Sequence, residues 1–278
     1  HCDVTRPIRI GIQIRPAQAH SYRQWRDAVL RAEDKGVDVI FGYDHFHWPA
    51  GTIGSDGVVL DEIQPDVNNF EGWTALGSWA EITSRVEIGL LVTGVGYRNP
   101  DLLADMARTV DHISDGRVIL GVGAGWYEKD YTTYGYEFGT TGSRFDLFEE
   151  SLVRIENRLG QLLPPPVRPI PILIGGGGEK RTIPLVARHA HIWHAFADID
   201  TYRRKNDILI AEAERIGRDH NEIERSTSWG LGPEGLTTAE ADAYADAGAT
   251  LFTLGINPDP DYDLSVLDAP LAWRDSRS

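Results

Sequence analysis

The sequence has a single cysteine, Cys2, and very few lysines. One cysteine among 278 residues excludes an internal disulfide framework and a metal cluster built from cysteine thiolates. Acidic residues number 42 against 27 basic ones, which gives a formal net charge of -15. So acidic a chain repels nucleic acid and anionic membrane surfaces. We therefore expect neither as a partner.

Long apolar runs are also missing. No stretch approaches the ~20 apolar residues that span a bilayer, and no basic segment followed by an apolar one opens the chain like a secretory signal. Apolar residues still make up 41% of the sequence, which is enough for one large core. We expect a cytoplasmic protein that folds as one domain over residues 1–278.

Strand-like and helix-like apolar patterns alternate along the chain. The predicted strands lie at residues 8–14, 37–42, 86–93, 117–122, 170–174, 191–195, 224–229 and 250–255. Asn99-Pro100 predicts an N-cap followed by a first-turn proline, and Ser143 with Asp146 predicts a capping box. Eight strand–helix units close most naturally into a (β/α)₈ TIM barrel of the α/β class. A doubly wound open sheet is the alternative.

Four consecutive glycines, Gly175–Gly178, lie between a predicted strand and a predicted helix. Backbone without side chains presents free N–H groups at the positive end of the helix dipole. Lys180 and Arg181 follow at once and add positive charge. The segment therefore predicts a phosphate site. A flexible strand–helix turn is the alternative.

Polar residues follow the second predicted strand, at the end where barrels of this class carry their active sites. Histidine side chains exchange protons in the pH range of many enzymes, and the neighbouring Asp44 could hold the tautomer of His45. The pair predicts a proton donor or acceptor. Alternatively, Asp44 caps the turn and His45 is a buried, hydrogen-bonded side chain. His45 and His47 also form a His-x-His pair, so a metal-dependent hydrolase is a further alternative.

Glycines and aromatic residues end the fourth predicted strand. The segment Gly121–Gly125 places its third glycine too early for a dinucleotide fingerprint, but it would let a flat ring approach the backbone. Trp126 and Tyr127 then offer aromatic walls for a substrate, as does Trp48 after the second strand. An ordinary glycine turn is the alternative.

The long connection between Trp48 and Trp73 is rich in Gly, Asp and Asn. Connections of this length in a compact barrel are commonly functional lids. Its apolar residues Val58, Val59 and Leu60 could cover a substrate.

Five segments, taken together and in order, are specific enough to identify a family. They are Gly-Tyr-Asp-His-Phe (42–46), Leu-Val-Thr-Gly-Val (91–95), Tyr-Arg-Asn-Pro-Asp-Leu-Leu-Ala (97–104), Asp-Gly-Arg-Val-Ile-Leu-Gly-Val-Gly-Ala-Gly-Trp-Tyr-Glu (115–128) and Pro-Ile-Leu-Ile-Gly-Gly-Gly-Gly-Glu (171–179). On these segments the chain resembles the bacterial-luciferase-like superfamily of flavin barrels, and in particular its branch that uses the deazaflavin coenzyme F420.

The resemblance implies a barrel whose open end holds coenzyme F420 against the substrate. Asp44 and His45 would lie beside the reactive ring, with His45 as the proton donor. Leu90-Leu91 matches the place where relatives carry a non-proline cis peptide in a bulge behind the ring. Thr93 would reach the polar edge of the ring. The remaining cofactor-binding residues would be Gly123, Gly175, Gly176, Gly177, Gly178 and Lys180.

The resemblance also implies a function. We expect an F420-dependent oxidoreductase that transfers hydride between the deazaflavin C5 and an unsaturated or carbonyl-type substrate. Trp126 stands where relatives that oxidise a sugar phosphate carry a glutamate, which favours a larger and more apolar substrate. An FMN-dependent monooxygenase and a non-catalytic flavin-binding protein are the alternatives.

A homodimer is expected as in relatives, through the second and third helices. Their large apolar side chains exceed what one barrel face needs. They are Trp73, Leu76, Trp79, Leu102, Leu103 and Met106.

Overall fold

Eight parallel strands close into a barrel surrounded by helices, as the alternation predicts. The structure, a computed structural model, describes residues 6–54 and 57–277. Each strand pairs in parallel with its neighbours in chain order, the first strand pairs with the last, and a lateral contact between the third and fourth barrel strands closes the ring. The open-sheet alternative is therefore wrong.

The strands and helices lie close to their predicted positions. The strands are β1 (Arg9–Ile14), β2 (Val39–Gly42), β3 (Gly51–Gly54), β4 (Gly57–Leu60), β5 (Glu87–Leu90), β6 (Thr93–Gly94), β7 (Val118–Gly123), β8 (Ile172–Gly175), β9 (Ile192–His194), β10 (Glu224–Ser228) and β11 (Ala249–Ile256). The helices are α1 (Tyr22–Lys35), α2 (Gly72–Ile82), α3 (Pro100–Ile113), α4 (Glu128–Thr132), α5 (Thr141–Leu159), α6 (Thr182–His189), α7 (Ile199–Arg215), α8 (Thr238–Asp246) and α9 (Asp268–Ser276). The third predicted strand is divided into β5 and β6.

Local signals in the sequence place most helix ends. The Asn99 side chain accepts hydrogen bonds from the N–H groups of Asp101 and Leu102, which confirms the predicted cap of α3. The capping box of α5 pairs Thr140 with Ser143 rather than Ser143 with Asp146. The prediction was wrong there because Ser143 lies inside the helix, three residues after Thr140, and the two hydroxyls serve each other's backbone N–H groups.

The apolar core has two parts, on either side of the strands. The larger part lies between the strands and the helices, and a smaller one fills the barrel interior. The interior part consists of Val39, Phe41, Ile119, Leu173, Ile192 and Leu251. This division follows from the strand period of two, since alternate side chains point to opposite faces.

An ion-pair cluster closes the end of the barrel where the strands begin. Arg9 on β1 pairs with Glu87 and Glu224, and Arg168 pairs with Glu87 from the segment before β8. These opposite charges satisfy one another in a partly buried place. Only the end where the strands finish is then left for a functional site.

The apolar side chains of α2 and α3 serve this core. Trp73, Leu76, Trp79 and Leu103 are buried within the chain itself, whereas Leu102 is 54% exposed. The described residues of α2 and α3 therefore lack the excess of exposed apolar surface on which we based the expected homodimer. The homodimer itself stays a prediction.

The predicted lid contains a β-hairpin formed by β3 and β4. Val59 and Leu60 on this hairpin are exposed, at 66% and 40%, so they cover nothing in this structure. The later part of the connection is fastened to the barrel, because Tyr127 donates a hydrogen bond to Gln64. Among the described residues, no helix is long and apolar enough to cross a membrane.

Candidate active site

A histidine–carboxylate pair lies at the open end of the barrel. His45, just after β2, places its Nδ1 2.6 Å from Oδ2 of Asp130 on α4. Asp130 is fully buried, and its Oδ1 accepts the backbone N–H groups of Phe46 and His47 at 3.0 and 2.9 Å. Because these donors hold the carboxylate as an acceptor, Nδ1 of His45 donates to it. Nε2 is then the nitrogen that can exchange a proton with a bound molecule.

The predicted pairing of His45 with Asp44 was wrong. The carboxylate of Asp44 accepts two hydrogen bonds from Arg98, at 2.5 and 3.1 Å, and Arg98 also binds Glu71. Neighbouring residues in extended backbone point to opposite sides, which turns Asp44 away from His45. Burial raises the pKa of Asp44, and the Arg98 guanidinium opposes that rise.

Asp130 is the site residue that sequence reasoning missed. It lies 85 positions after His45 along the chain, in a short and mostly polar helix. Nothing in its local sequence separates it from a surface carboxylate. Its role depends on a contact that only the closed barrel makes.

The strand interruption between β5 and β6 contains a non-proline cis peptide, at Leu91-Val92. The prediction placed it one residue earlier, at Leu90-Leu91. The Leu91 N–H still donates to the carbonyl of Gly42 at 2.9 Å, so regular pairing continues to Leu91 and the irregular backbone begins after it. Leu91 and Val92 pack against the interior core, whereas Leu90 lies in the outer one.

The glycines at the end of β7 make room for this interruption. A Cβ added at Gly121 would lie 2.1 Å from the Leu90 carbonyl oxygen, and one at Gly123 would lie 3.0 Å from a methyl of Val92. At Gly125 the same space is taken by the Tyr131 hydroxyl. Atoms of the chain itself thus fill the space that a side chain at these positions would take, and the approach of a flat ring to this segment stays a prediction.

The Thr93 side chain is engaged within the chain itself. It is fully buried, and its hydroxyl oxygen accepts the indole N–H of Trp73 at 2.9 Å. A further hydrogen bond joins Thr93 to Asp44. A contact between Thr93 and the cofactor stays a prediction.

Aromatic side chains surround His45. Its ring packs edge-on against Tyr43, Trp126 and Tyr127, with centroid distances of 5.1, 5.6 and 5.8 Å. Trp126 is 43% exposed and forms an outer wall, whereas Tyr127 is buried and bound to Gln64. Trp48 is partly buried three residues after His45. Trp126 and Tyr127 thus lie beside the histidine, and the role of all three aromatic residues as substrate walls stays a prediction.

The four glycines join β8 to α6 as predicted. The Gly176 N–H donates to the His194 carbonyl, and Gly176 has a φ of 127°, a left-handed conformation that favours glycine. No side chain in the described part of the chain caps the first turn of α6, but the Ile183 N–H donates to the Gly178 carbonyl at 2.9 Å and Pro184 has no N–H.

The positive charge nearest these glycines was not predicted. A Cβ at Gly177 would lie 2.7 Å from Nζ of Lys205, which comes from α7. Of the predicted cations, Arg181 is drawn to Asp146 and Glu149, and Lys180 is exposed. The lysine beside the glycine loop is therefore Lys205, which comes almost 30 positions later in the sequence.

A metal site through His45 and His47 has no further ligands. In residues 6–54 and 57–277, no three His, Cys, Asp or Glu side chains come together in an arrangement that could hold a metal ion. His194 is bound to Ser226, and His189 to Glu156.

Sequence relatives match part of the chain. An uncharacterized protein of Mycobacterium tuberculosis is 27% identical over 183 residues, which are 60% of this chain and 65% of that protein. A phthiodiolone/phenolphthiodiolone dimycocerosates ketoreductase of the same organism is 31% identical over 143 residues, 50% of this chain and 37% of that enzyme. The chain thus spans less than two thirds of the length of these curated relatives.

Solved structures show the same fold along almost the whole chain. An F420-dependent secondary alcohol dehydrogenase, in complex with an F420-acetone adduct, has a TM-score of 0.79 at 17% identity and covers 97% of this chain and 99% of that one. The FMN-bound oxygenating constituent of 3,6-diketocamphane monooxygenase from Pseudomonas putida has a TM-score of 0.61 at 17% identity, over 80% and 67%. A family model of luciferase-like monooxygenases matches residues 4–231, so the chain belongs to the luciferase-like monooxygenase family.

Proposed function

We propose that the protein is an F420-dependent oxidoreductase, which transfers hydride between the deazaflavin C5 and a carbonyl-type or unsaturated organic substrate. The observation that carries this proposal is the His45–Asp130 pair at the open end of the barrel. It supplies a positioned proton donor or acceptor in a family whose members are oxidoreductases and monooxygenases.

The residues at the barrel end fit a flat cofactor that carries a phosphate. The loop Gly175–Gly178 would hold the phosphate through the backbone N–H groups of its own glycines, with Lys205 supplying charge. Leu91 and Val92 form an apolar surface inside the barrel end, on which a ring could rest. When bound, the deazaflavin supplies a carbon that gives or accepts hydride.

Residues of the chain itself transfer the proton. Asp130 fixes the His45 ring by accepting from Nδ1, and Nε2 then gives or takes the proton that accompanies hydride transfer. The aromatic side chains around His45 leave its side chain only 17% exposed.

Two relatives support a carbonyl or alcohol substrate. One is the F420-dependent secondary alcohol dehydrogenase, and the other is the ketoreductase that matches half of this chain. FMN-dependent monooxygenation is the second candidate, supported by the FMN-bound neighbour.

Fluorescence titration of the purified protein with F420 and with FMN tests the cofactor. We expect the tighter binding with F420, and activity on a panel of ketones and unsaturated compounds with reduced F420. Tighter FMN binding, together with oxygen consumption in the presence of reduced FMN, would support the monooxygenase instead.

A further inference from the structure

One cation at the open end of the barrel has no role in the function proposed above. Arg15 directly follows β1, and its Nε donates to Oε1 of Gln13 at 2.8 Å. The guanidinium lies over Gly255, where an added Cβ would be 2.1 Å from Nη2. Among the described residues, no carboxylate lies within ion-pair distance of it.

This lack of a partner sets Arg15 apart from the other arginine on the inner face of the same strand. Arg9, at the closed end of the barrel, is paired with Glu87 and Glu224. Arg15 is only partly exposed, and burial lowers its pKa, a change that the Tyr43 phenol opposes. A cation withdrawn from water without a counter-charge is costly, and it is typical of a site that an anion completes.

Arg15 is linked to both sides of the candidate active site. The charge of Arg15 acts on the phenol group of Tyr43. The Tyr43 ring in turn packs against the His45 ring, with a centroid distance of 5.1 Å. On the other side, Gln13 donates from Nε2 to the carbonyl of Leu91 at 2.8 Å, at the cis peptide. An anion on Arg15 would therefore lie next to the space between the histidine and the Leu91-Val92 surface.

The neighbouring strands add polar groups but no second charge. His194 on β9 is buried beside Ser226, and burial lowers its pKa to about 4, so its ring is neutral at pH 7. Thr253 on β11, one inward position before Gly255, has a buried hydroxyl without a hydrogen-bond partner. Among the residues that the structure describes, Arg15 thus supplies the positive charge on this polar side of the barrel end.

We propose that Arg15 binds a carboxylate of the organic substrate, so that the substrate is an organic acid with an apolar body. A guanidinium can bind both carboxylate oxygens at once, which would fix the orientation of the substrate as well as its charge. The polar side of the barrel end would receive the carboxylate, and Trp126 the apolar body. This inference rests on the proposed function for the role of the barrel end as the substrate side.

The test compares two probes of nearly the same shape, sodium benzoate and benzamide, by calorimetric titration of the protein without cofactor. We expect roughly 10- to 100-fold tighter binding of benzoate, as a charge-assisted pair gives. Arg15→Gln should abolish the preference, and Arg15→Lys should keep part of it because a lysine retains the charge but not the two-oxygen geometry. Arg23→Gln is the matched control, since it removes the same charge from an exposed position on α1.

A thermal unfolding measurement separates a binding role from a structural one. Since Arg15 is a buried charge without a counter-charge, Arg15→Gln should leave Tm unchanged or raise it by a few degrees. A protein that fails to fold, or a marked fall in Tm, would show that the guanidinium is structural and would overturn the proposal. Equal affinity of the unmodified protein for the two probes would also overturn it, as would a loss of preference in Arg23→Gln.

Cofactor titration of the same variants keeps the two proposals apart. Arg15→Gln should bind F420 as the unmodified protein does. If it loses F420 affinity as strongly as benzoate affinity, Arg15 belongs to the cofactor site and the proposal fails. If the protein prefers benzoate through Arg15 but binds no F420, the carboxylate site stands and the proposed cofactor is wrong.

Discussion

In the proposed reaction His45 would act through one ring nitrogen, because the other is held by Asp130. We expect His45→Ala to lower kcat by roughly 10²–10⁴, the usual effect of removing a positioned acid or base. Affinity for F420 should stay within a few-fold, since the phosphate loop lies elsewhere. Steady-state kinetics with a fluorescence titration checks both values. An unchanged kcat would mean that His45 is structural and that the proton comes from another source.

Asp130 is a positioning residue whose loss should resemble the loss of His45. In Asp130→Asn the amide oxygen would accept the backbone N–H groups of Phe46 and His47, so the amide NH₂ would face Nδ1 of His45 and favour the other tautomer. We expect kcat to fall to within about tenfold of the His45→Ala value. The pH profile of kcat should change as well, which a purely structural residue would not cause.

Asp44→Asn is the control for that experiment, because Asp44 is equally buried but pairs with Arg98. It should destabilise the fold by about 3–5 kcal/mol, the cost of breaking a buried ion pair. Its effect on kcat should be much smaller than that of Asp130→Asn. If Asp44→Asn lowered kcat more than Asp130→Asn does, Asp44 rather than Asp130 would be the catalytic partner of His45.

At the scale of elements, the phosphate site combines one loop with a helix that follows it much later. Gly175–Gly178 provides bare backbone, and Lys205 on α7 provides the nearest cation. We expect Lys205→Gln to weaken the binding of F420 and of FMN by roughly tenfold, with a smaller loss at high salt. Fluorescence titration at two salt concentrations measures this loss.

Lys180→Gln is the matched control, since Lys180 is exposed at the start of α6. Lys180→Gln should weaken the binding of F420 and of FMN, which both carry the phosphate, less than Lys205→Gln does. A larger effect of Lys180→Gln, confined to F420 with its long anionic tail, would instead favour our sequence-based prediction for Lys180. Arg181 is unsuited to this comparison because it holds α5 through Asp146 and Glu149.

The stability of the whole molecule should depend on pH through His194. Its pKa is lowered from 6.5 to about 4 in the folded protein, so below pH 6.5 the unfolded chain takes up a proton that the folded one does not. Stability from this group is complete above pH 6.5 and is lost as pH falls toward 4. The slope approaches about 1.4 kcal/mol per pH unit.

Urea unfolding at pH 7 and pH 5 measures this dependence. We expect His194→Gln to reduce the difference between the two pH values, because glutamine does not titrate. An unchanged difference would assign the loss of stability at low pH to other groups.

Local patterns along the chain are enough to predict the elements and their order. Strand and helix periods are local, and so are the Asn99 cap and the glycine run at the end of β8, so each could be read from neighbouring residues. The end of the barrel that carries the site also followed, because parallel strands bring their carboxyl ends to one side.

Which side chains meet depends on the closed barrel. Asp130 rather than Asp44 holds His45, Lys205 rather than Arg181 lies against the glycines, and Arg15 has no carboxylate partner among residues 6–54 and 57–277. These contacts join positions far apart in the chain, and the direction in which each side chain points depends on strand pairing and on the interruption after Leu91. Local periodicity carries no information about such contacts, because they arise only when the barrel closes.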